Sequence, residues 1–236
     1  MALPFPAAAV IVAGGHGSRM ESAVPKQFLP IGGIPILVHT FRRFFHTGLF
    51  SSIVIVLPED QLDSWREIQQ RYLKPEETFL LAPGGKTRSE SVLNGLKALP
   101  ATTPECIVGI HDGVRPFINP EFLRNCLNTA WEHGNAIPCI TPPESFRYMD
   151  SAQADETLSH AIDRQRIRSI QTPQCFRLST LQADFQRQDC RSFTDEASLA
   201  EASGNPIRLC EGLLQNIKIT RPFDLQLAEF LLQKGY

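Results

Sequence analysis

The chain has 236 residues, 42% hydrophobic and 20% charged, with a formal net charge of -2. Those values are ordinary for a globular protein and exclude a general nucleic-acid binder, which carries a basic field. No run of about 18 apolar residues is present, so no membrane-spanning helix and no membrane partner are expected.

The apolar N-terminus lacks a basic leader and runs into a glycine loop, so "AAVIVAG" reads as a first strand buried on both faces rather than as a signal peptide. "PILVHTFRRFF" has helical spacing with proline at its start. "SIVIVLP" is a second strand, residues 60–72 an amphipathic helix, and "TFLLAPGG" a short strand ending in two glycines. "TRSESVLNGLKAL" is a helix whose early Glu90 and late Lys97 suit its dipole, with Ser89 or Ser91 as a candidate cap. "CIVGIHD" is a fourth strand, Pro120 to His133 a helix, and "NAIPCIT" a fifth strand. Residues 142–171 break the alternation, and an extended hairpin arm fits them better than a structureless loop of that length. Helices near 178–187 and 194–203, strands near 207–210 and 216–220, and a helix from Pro222 complete the chain. Six scattered cysteines at positions 106, 126, 139, 175, 190 and 210 have neither Cys-x-x-Cys nor zinc spacing, and read as reduced core residues of a cytoplasmic protein.

This β-α-β-α order predicts a single α/β domain with a mostly parallel twisted sheet flanked by helices. Ligands in such sheets sit outside the carboxyl ends of the strands, so loops 13–20, 83–91 and 111–116 are the candidate site. "AGGHGSRMESAVPKQF" fails as a Rossmann fingerprint, because the third glycine is missing, and as a P-loop, because Gly-Lys-Ser/Thr is absent. Its glycines still let backbone N–H groups approach an anion, and Arg19 and Lys26 add two cations; the alternative is a plain glycine turn with solvated charges. "PGGKTRSES" adds Lys86 and Arg88 and is either a second anion loop or an ordinary capped turn. In "IHDGVRPF", Asp112 stands at a strand tip, placed to ligate Mg²⁺ or to act as a turn residue. Arg115 is structural or holds a phosphate. Lys218, between two isoleucines, points away from them, to solvent or to the pocket.

"AGGHGSRM…PKQFLPIGG", "HDGVRPFI", "DRQRIRSIQTPQCF", "TDEAS" and "NIKITRPFDL", in this order, resemble the 2-C-methyl-D-erythritol 4-phosphate cytidylyltransferases of the non-mevalonate isoprenoid pathway. The likeness runs from about residue 8 to 232; the ribitol 5-phosphate cytidylyltransferases share much of it, but the "IDRQRI…TPQ" spacing is closer to the methylerythritol enzymes. It implies a Rossmann-like nucleotidyltransferase fold with a projecting β-arm at about 142–166, and transfer of CMP from CTP to a sugar-alcohol phosphate with release of pyrophosphate. On that likeness Arg19 and Lys26 stabilise the transition state. Ala13, Gly14, Gly15 and Gly17 wrap the nucleotide, and Gly85 and Ser91 contact the cytosine or its surroundings. Asp112 serves Mg²⁺ or the ribose region, with Gly113 against the nucleotide. Arg115, Arg164, Thr172 and Lys218 hold the sugar phosphate, Arg164 and Lys218 orienting it for attack. The arm, carrying Ser145 where many members have threonine, implies a homodimer in which it reaches the partner's site. Lys86 and Gln215 depart from the pattern at positions where some members carry an acid. Another base specificity, such as GTP, and a nucleotide-binding module without catalysis are the competing readings.

Overall fold

The computed structural model describes residues 3–14, 24–100, 105–149 and 158–236. Six consecutive buried residues form β1 (Ala7–Val12), the centre of an eight-stranded sheet. A two-stranded ribbon follows, β2 (Pro30–Ile31) and β3 (Ile34–Pro35). Gly32 and Gly33 join its strands at φ +57° and +76°, which a tight hairpin turn of this hand requires. The chain continues through α1 (Ile36–Phe45), β4 (Ser52–Leu57), α2 (Leu62–Tyr72), β5 (Leu80–Pro83), α3 (Arg88–Ala98), β6 (Ile107–Asp112), α4 (Pro120–His133) and β7 (Asn135–Ile140). Then come β8 (Arg147–Met149), β9 (Ser159–Ala161), β10 (Ser169–Ile170), β11 (Gln174–Arg177), α5 (Leu178–Arg187), α6 (Glu196–Ala202), β12 (Leu209–Glu211) and α7 (Pro222–Gln233).

The sheet runs β10-β7-β11-β6-β1-β4-β5, with β12 also on β7. β1 is parallel to β4 and β6, and β4 to β5. β11 lies antiparallel between β6 and β7. The chain winds outward from β1 to β4 and β5 and then returns to β6 on the other side of β1. That reversal opens a crevice at the carboxyl ends of these strands.

Residue alternation along the strands sorts the two faces. Ala7, Ala9 and Ile11 pack with Phe41 and Phe44 of α1, Trp65 of α2 and Leu123 of α4. Ala8, Val10 and Val12 pack with Leu96 of α3, Leu181 of α5 and Leu199 of α6. A third cluster, with Ile31, Phe117, Ile219 and Ala228, seats α7 and the β2–β3 ribbon beside the loop after β6.

Two local expectations need correction. The cap of α3 is Thr87, not a serine. Its side chain accepts from Glu90 N at 3.1 Å while the Glu90 carboxylate accepts from Thr87 N at 3.2 Å, a reciprocal capping box. Residues 216–220 do not form a strand. The segment is not paired in a ladder; its backbone tie to the loop after β6 is Ile219 N to Val114 O at 3.0 Å. Within the stretch expected to form an arm, β8 and β9 pair antiparallel from Arg147 with Ala161 to Met149 with Ser159. Phe146, Tyr148, Met149 and Leu158 around this pair are all exposed.

α3 approaches the sheet through Gly95. A Cβ there would stand 2.4 Å from Val10 Cγ1 and 2.8 Å from Val56 Cγ2. Replacing glycine by alanine inside a helix ordinarily stabilises by about 1 kcal/mol. Here Gly95→Ala should instead destabilise by about 1–3 kcal/mol, because the helix must lift from two β-branched neighbours. A urea midpoint at or above that of the unaltered chain would contradict this contact.

Candidate active site

A cleft of about 280 Å³ opens where β1, β4, β5 and β6 end, at Val12, Pro58, Gly85 and Asp112. Among the described residues its lining contains the cations Lys26, Lys86, Arg88 and Lys218 against the single carboxylate of Asp112. An excess of positive charge in a cleft with apolar walls favours a polyanionic ligand.

Asp112 is the electrostatic centre. Arg88 Nε donates to its Oδ1 at 3.4 Å, and Arg115 Nε and Lys218 Nζ donate to its Oδ2 at 3.2 and 3.0 Å. Burial alone would raise this carboxyl, but Arg88, Lys218 and Arg115 outweigh it and hold the group far below the usual carboxylate range. Arg88 is held in turn by Glu196, to which Nη1 donates at 2.7 and 2.9 Å. Burial would lower the Arg88 guanidinium, yet Glu196 and Asp112 keep it charged. Glu196 stands in the first turn of α6, in the "TDEAS" segment, with its side chain wholly buried. Three cations and two carboxylates thus interlock, with one positive charge in surplus facing the cleft.

Behind Asp112 a relay orders the loop. The Arg115 carbonyl only accepts, so His111 Nε2 donates to it at 3.1 Å. His111 Nδ1 is then the acceptor for Thr172 Oγ1 at 3.0 Å, and that hydroxyl accepts from Asp112 N at 3.1 Å. Burial lowers the imidazole to about 4, which matches the neutral tautomer these bonds require.

The β5–α3 loop differs from the anion loop its composition suggested. Gly85 N donates to Ser91 Oγ at 2.9 Å, and Lys86 N and Thr87 N donate to the Glu90 carboxylate. With these amides engaged, the loop has no free N–H nest for phosphate. Glycine is needed at 85 for closeness, since a Cβ there would lie 2.3 Å from Glu90 Cβ.

Of the residues singled out in the sequence, Ala13, Gly14, Lys26, Gly85, Ser91, Asp112 and Lys218 line the cleft. Lys218 alternates as expected, reaching Asp112 while Ile219 is buried. Arg115 lies just behind, holding Asp112 and the Asn216 carbonyl at 2.8 Å. Thr172 and Gly113 are buried rather than lining the cleft. A Cβ on Gly113 would meet Ala13 Cβ at 2.9 Å, so it serves close packing and Val114 faces the cleft instead. Arg164 and Ser145 belong to the arm side and are exposed. Arg164 Nη1 donates to Pro143 O at 3.0 Å and does not line the cleft of its own chain. Gly15, Gly17 and Arg19 lie outside the described residues. Sequence reading gave no role to Glu196, His111 or Gln27, each of which sits inside a quoted motif: "TDEAS", "HDG" and "PKQ". None of the six cysteines is in a disulfide. No described helix is long and apolar enough to cross a membrane.

A doubly wound sheet with a cationic cleft at its switch point, one carboxylate at a strand tip and a glycine segment leaving β1 defines a nucleotidyltransferase-type site. The family profile of 2-C-methyl-D-erythritol 4-phosphate cytidylyltransferase matches residues 7–234, and the chain belongs to that family. A relative of that name from Bacteroides thetaiotaomicron is 41% identical over 223 residues, 94% of this chain and 98% of that one. Another from Bacteroides fragilis is 42% identical over 224 residues, 95% and 98% of the two chains. The crystal structure of 4-diphosphocytidyl-2C-methyl-D-erythritol synthase from Anaerococcus prevotii superposes with a TM-score of 0.81 at 26% identity, covering 97% of this chain and 96% of that one. The Thermus thermophilus 2-C-methyl-D-erythritol 4-phosphate cytidylyltransferase gives 0.75 at 27% identity, covering 95% and 98%.

The His111 relay has a measurable pH signature. With its folded pKa near 4 against 6.5 in the unfolded chain, the native state resists a proton that the unfolded chain accepts. Its contribution is therefore complete above pH 6.5 and lost as pH falls toward 4, by roughly 3 kcal/mol in all. Urea melts across that range should show this loss and His111→Asn should flatten it; equal pH slopes for the two proteins would rule out the neutral buried imidazole.

Proposed function

We propose that this chain transfers CMP from CTP to 2-C-methyl-D-erythritol 4-phosphate, giving 4-diphosphocytidyl-2-C-methyl-D-erythritol and pyrophosphate. The observation that carries the reading is the Asp112 cluster, a fixed surplus of positive charge at the carboxyl ends of β1 and β6, in a chain of this family. The nucleophile is a phosphate oxygen that is already anionic at neutral pH, so no general base is required. The obstacle is electrostatic, because two anions must meet and charge grows on the α-phosphate and the departing pyrophosphate. Lys26 and Arg19 are assigned to that developing charge. Lys218 and Arg115, both held on Asp112 Oδ2, are assigned to the phosphate of the sugar alcohol, with Lys218 40% exposed to the cleft. Cations held before the substrates arrive need no reorganisation at the moment of transfer.

A divalent metal fits the donor set. Among the described residues no group of three His, Cys, Asp or Glu could cage an ion. Among the described residues Asp112 is the one carboxylate lining the cleft, and both its oxygens are held by Arg88, Arg115 and Lys218, so an Mg²⁺ there would be carried chiefly by triphosphate oxygens and waters. Bound there, the ion would neutralise charge on the triphosphate.

We also assign the arm at about 142–166 to a homodimer contact. Its exposed Phe146, Tyr148, Met149 and Leu158 need cover, and Arg164, expected at the sugar phosphate, lies away from its own cleft, which we assign to service in the partner's.

Incubation with CTP, Mg²⁺ and methylerythritol phosphate should release pyrophosphate, and Lys26→Ala should lower kcat by about 10²-fold or more with the fold intact. Silence with methylerythritol phosphate but turnover with ribitol 5-phosphate would sink the substrate assignment; a near-normal kcat for the variant would remove Lys26 from the transition state. Light scattering at micromolar concentration should give the mass of a dimer, and a monomer there would refute the role of the arm.

A further inference from the structure

Gln27 is completely buried and lines the cleft. Its Nε2 donates to the Ala13 carbonyl at 2.7 Å and to Gln61 Oε1. Both amide hydrogens are thereby engaged and the orientation of the carboxamide is set, since the reverse would press its oxygen against the Ala13 carbonyl. Gln27 Oε1 finds no hydrogen-bond partner among the described residues.

A buried acceptor left unmatched is destabilising. In the wall of a binding cleft, such a group marks a contact that a ligand completes. Its neighbour is of the same kind. Ala13 N donates to Val56 O at 2.9 Å, so the backbone at Ala13 presents only its carbonyl, which keeps a second lone pair. Two acceptors therefore belong to residues of the cleft lining, which also includes the apolar Val12 and Pro58. The complementary group is an amine with two hydrogens.

We infer that Gln27 sets base specificity: its Oε1 accepts one hydrogen of the 4-amino group of cytosine, and its Nε2 holds the Ala13 carbonyl in place for the other. Uracil presents a carbonyl oxygen at that position. It would meet two acceptors, leave both unpaired and be rejected. The inference rests on CTP being the nucleotide used.

The test compares kcat/KM for CTP, UTP and the triphosphate of pyrimidin-2-one riboside, which lacks the 4-amino group, in the unaltered chain and in Gln27→Met. Deleting the amine should cost the unaltered chain about 10–100-fold, the loss of a buried hydrogen-bonded group. Gln27→Met should lower the CTP value about 10-fold or more and leave the analogue and UTP within about 3-fold, so that most of the amine's advantage vanishes. A purely structural Gln27 would lower all three together, and an unchanged CTP preference in the variant overturns the assignment. Should Gln27→Met not fold, N4,N4-dimethyl-CTP with the unaltered chain decides the matter: binding as tight as CTP overturns it, and binding about 10-fold weaker or worse supports it. An unaltered chain that ignores CTP altogether would overturn both this inference and the reading beneath it.

Discussion

Asp112 is gripped by three cations that reach it from three separate parts of the chain. Arg88 comes from the start of α3, Arg115 from the loop after β6, and Lys218 from the segment before α7. A lone carboxylate at that depth would take up a proton or pull in water. With its partners it stays ionised and acts as the node through which the walls of the cleft are set relative to one another. The rest of the site is arranged around it. Glu196 keeps Arg88 charged and aimed, and the chain from Asp112 N through Thr172 and His111 to the Arg115 carbonyl fixes the loop from behind.

The cleft is chemically divided. Toward β6 it offers cations, suited to phosphates. Toward β1 and β5 the amides of Ala13, Gly85, Lys86 and Thr87 are already bonded within the chain, leaving the Ala13 carbonyl and Gln27 Oε1 as acceptors. That polarity matches the two ends of a nucleotide, the phosphates toward β6 and the base toward β1. It also explains how a segment that meets neither familiar phosphate-binding pattern belongs in a nucleotide site. The work is split between side-chain cations and a wall of oriented carbonyls.

Much of the architecture was legible because it depends on local pattern. β1 and α4 were readable from a continuous apolar run and from a helix bounded by Asn119, Pro120 and Gly134. Lys218 was readable as an alternating residue, and Asp112 as a strand tip. What failed depended on partners. The stretch 216–220 has the composition of a strand but is not paired in a ladder. Thr87 outcompeted the serines as a cap because its hydroxyl and Glu90 satisfy each other. Glu196 could not be found by spacing, since Arg88 is 108 residues away in sequence. His111 and Gln27 stood inside recognised motifs, but a motif does not say which member touches a ligand and which holds its neighbour.

The Arg88–Glu196 pair has a consequence for how the protein responds to ionic strength. Its Glu196 side chain is fully shielded and Arg88 is one quarter exposed, so dissolved ions reach that pair poorly. Lys86 is open to solvent and Lys218 is 40% exposed. Charges in that position are screened over about 8 Å at physiological salt. Added salt therefore weakens the pull of Lys86 and Lys218 on anions more than it weakens the Arg88–Glu196 pair.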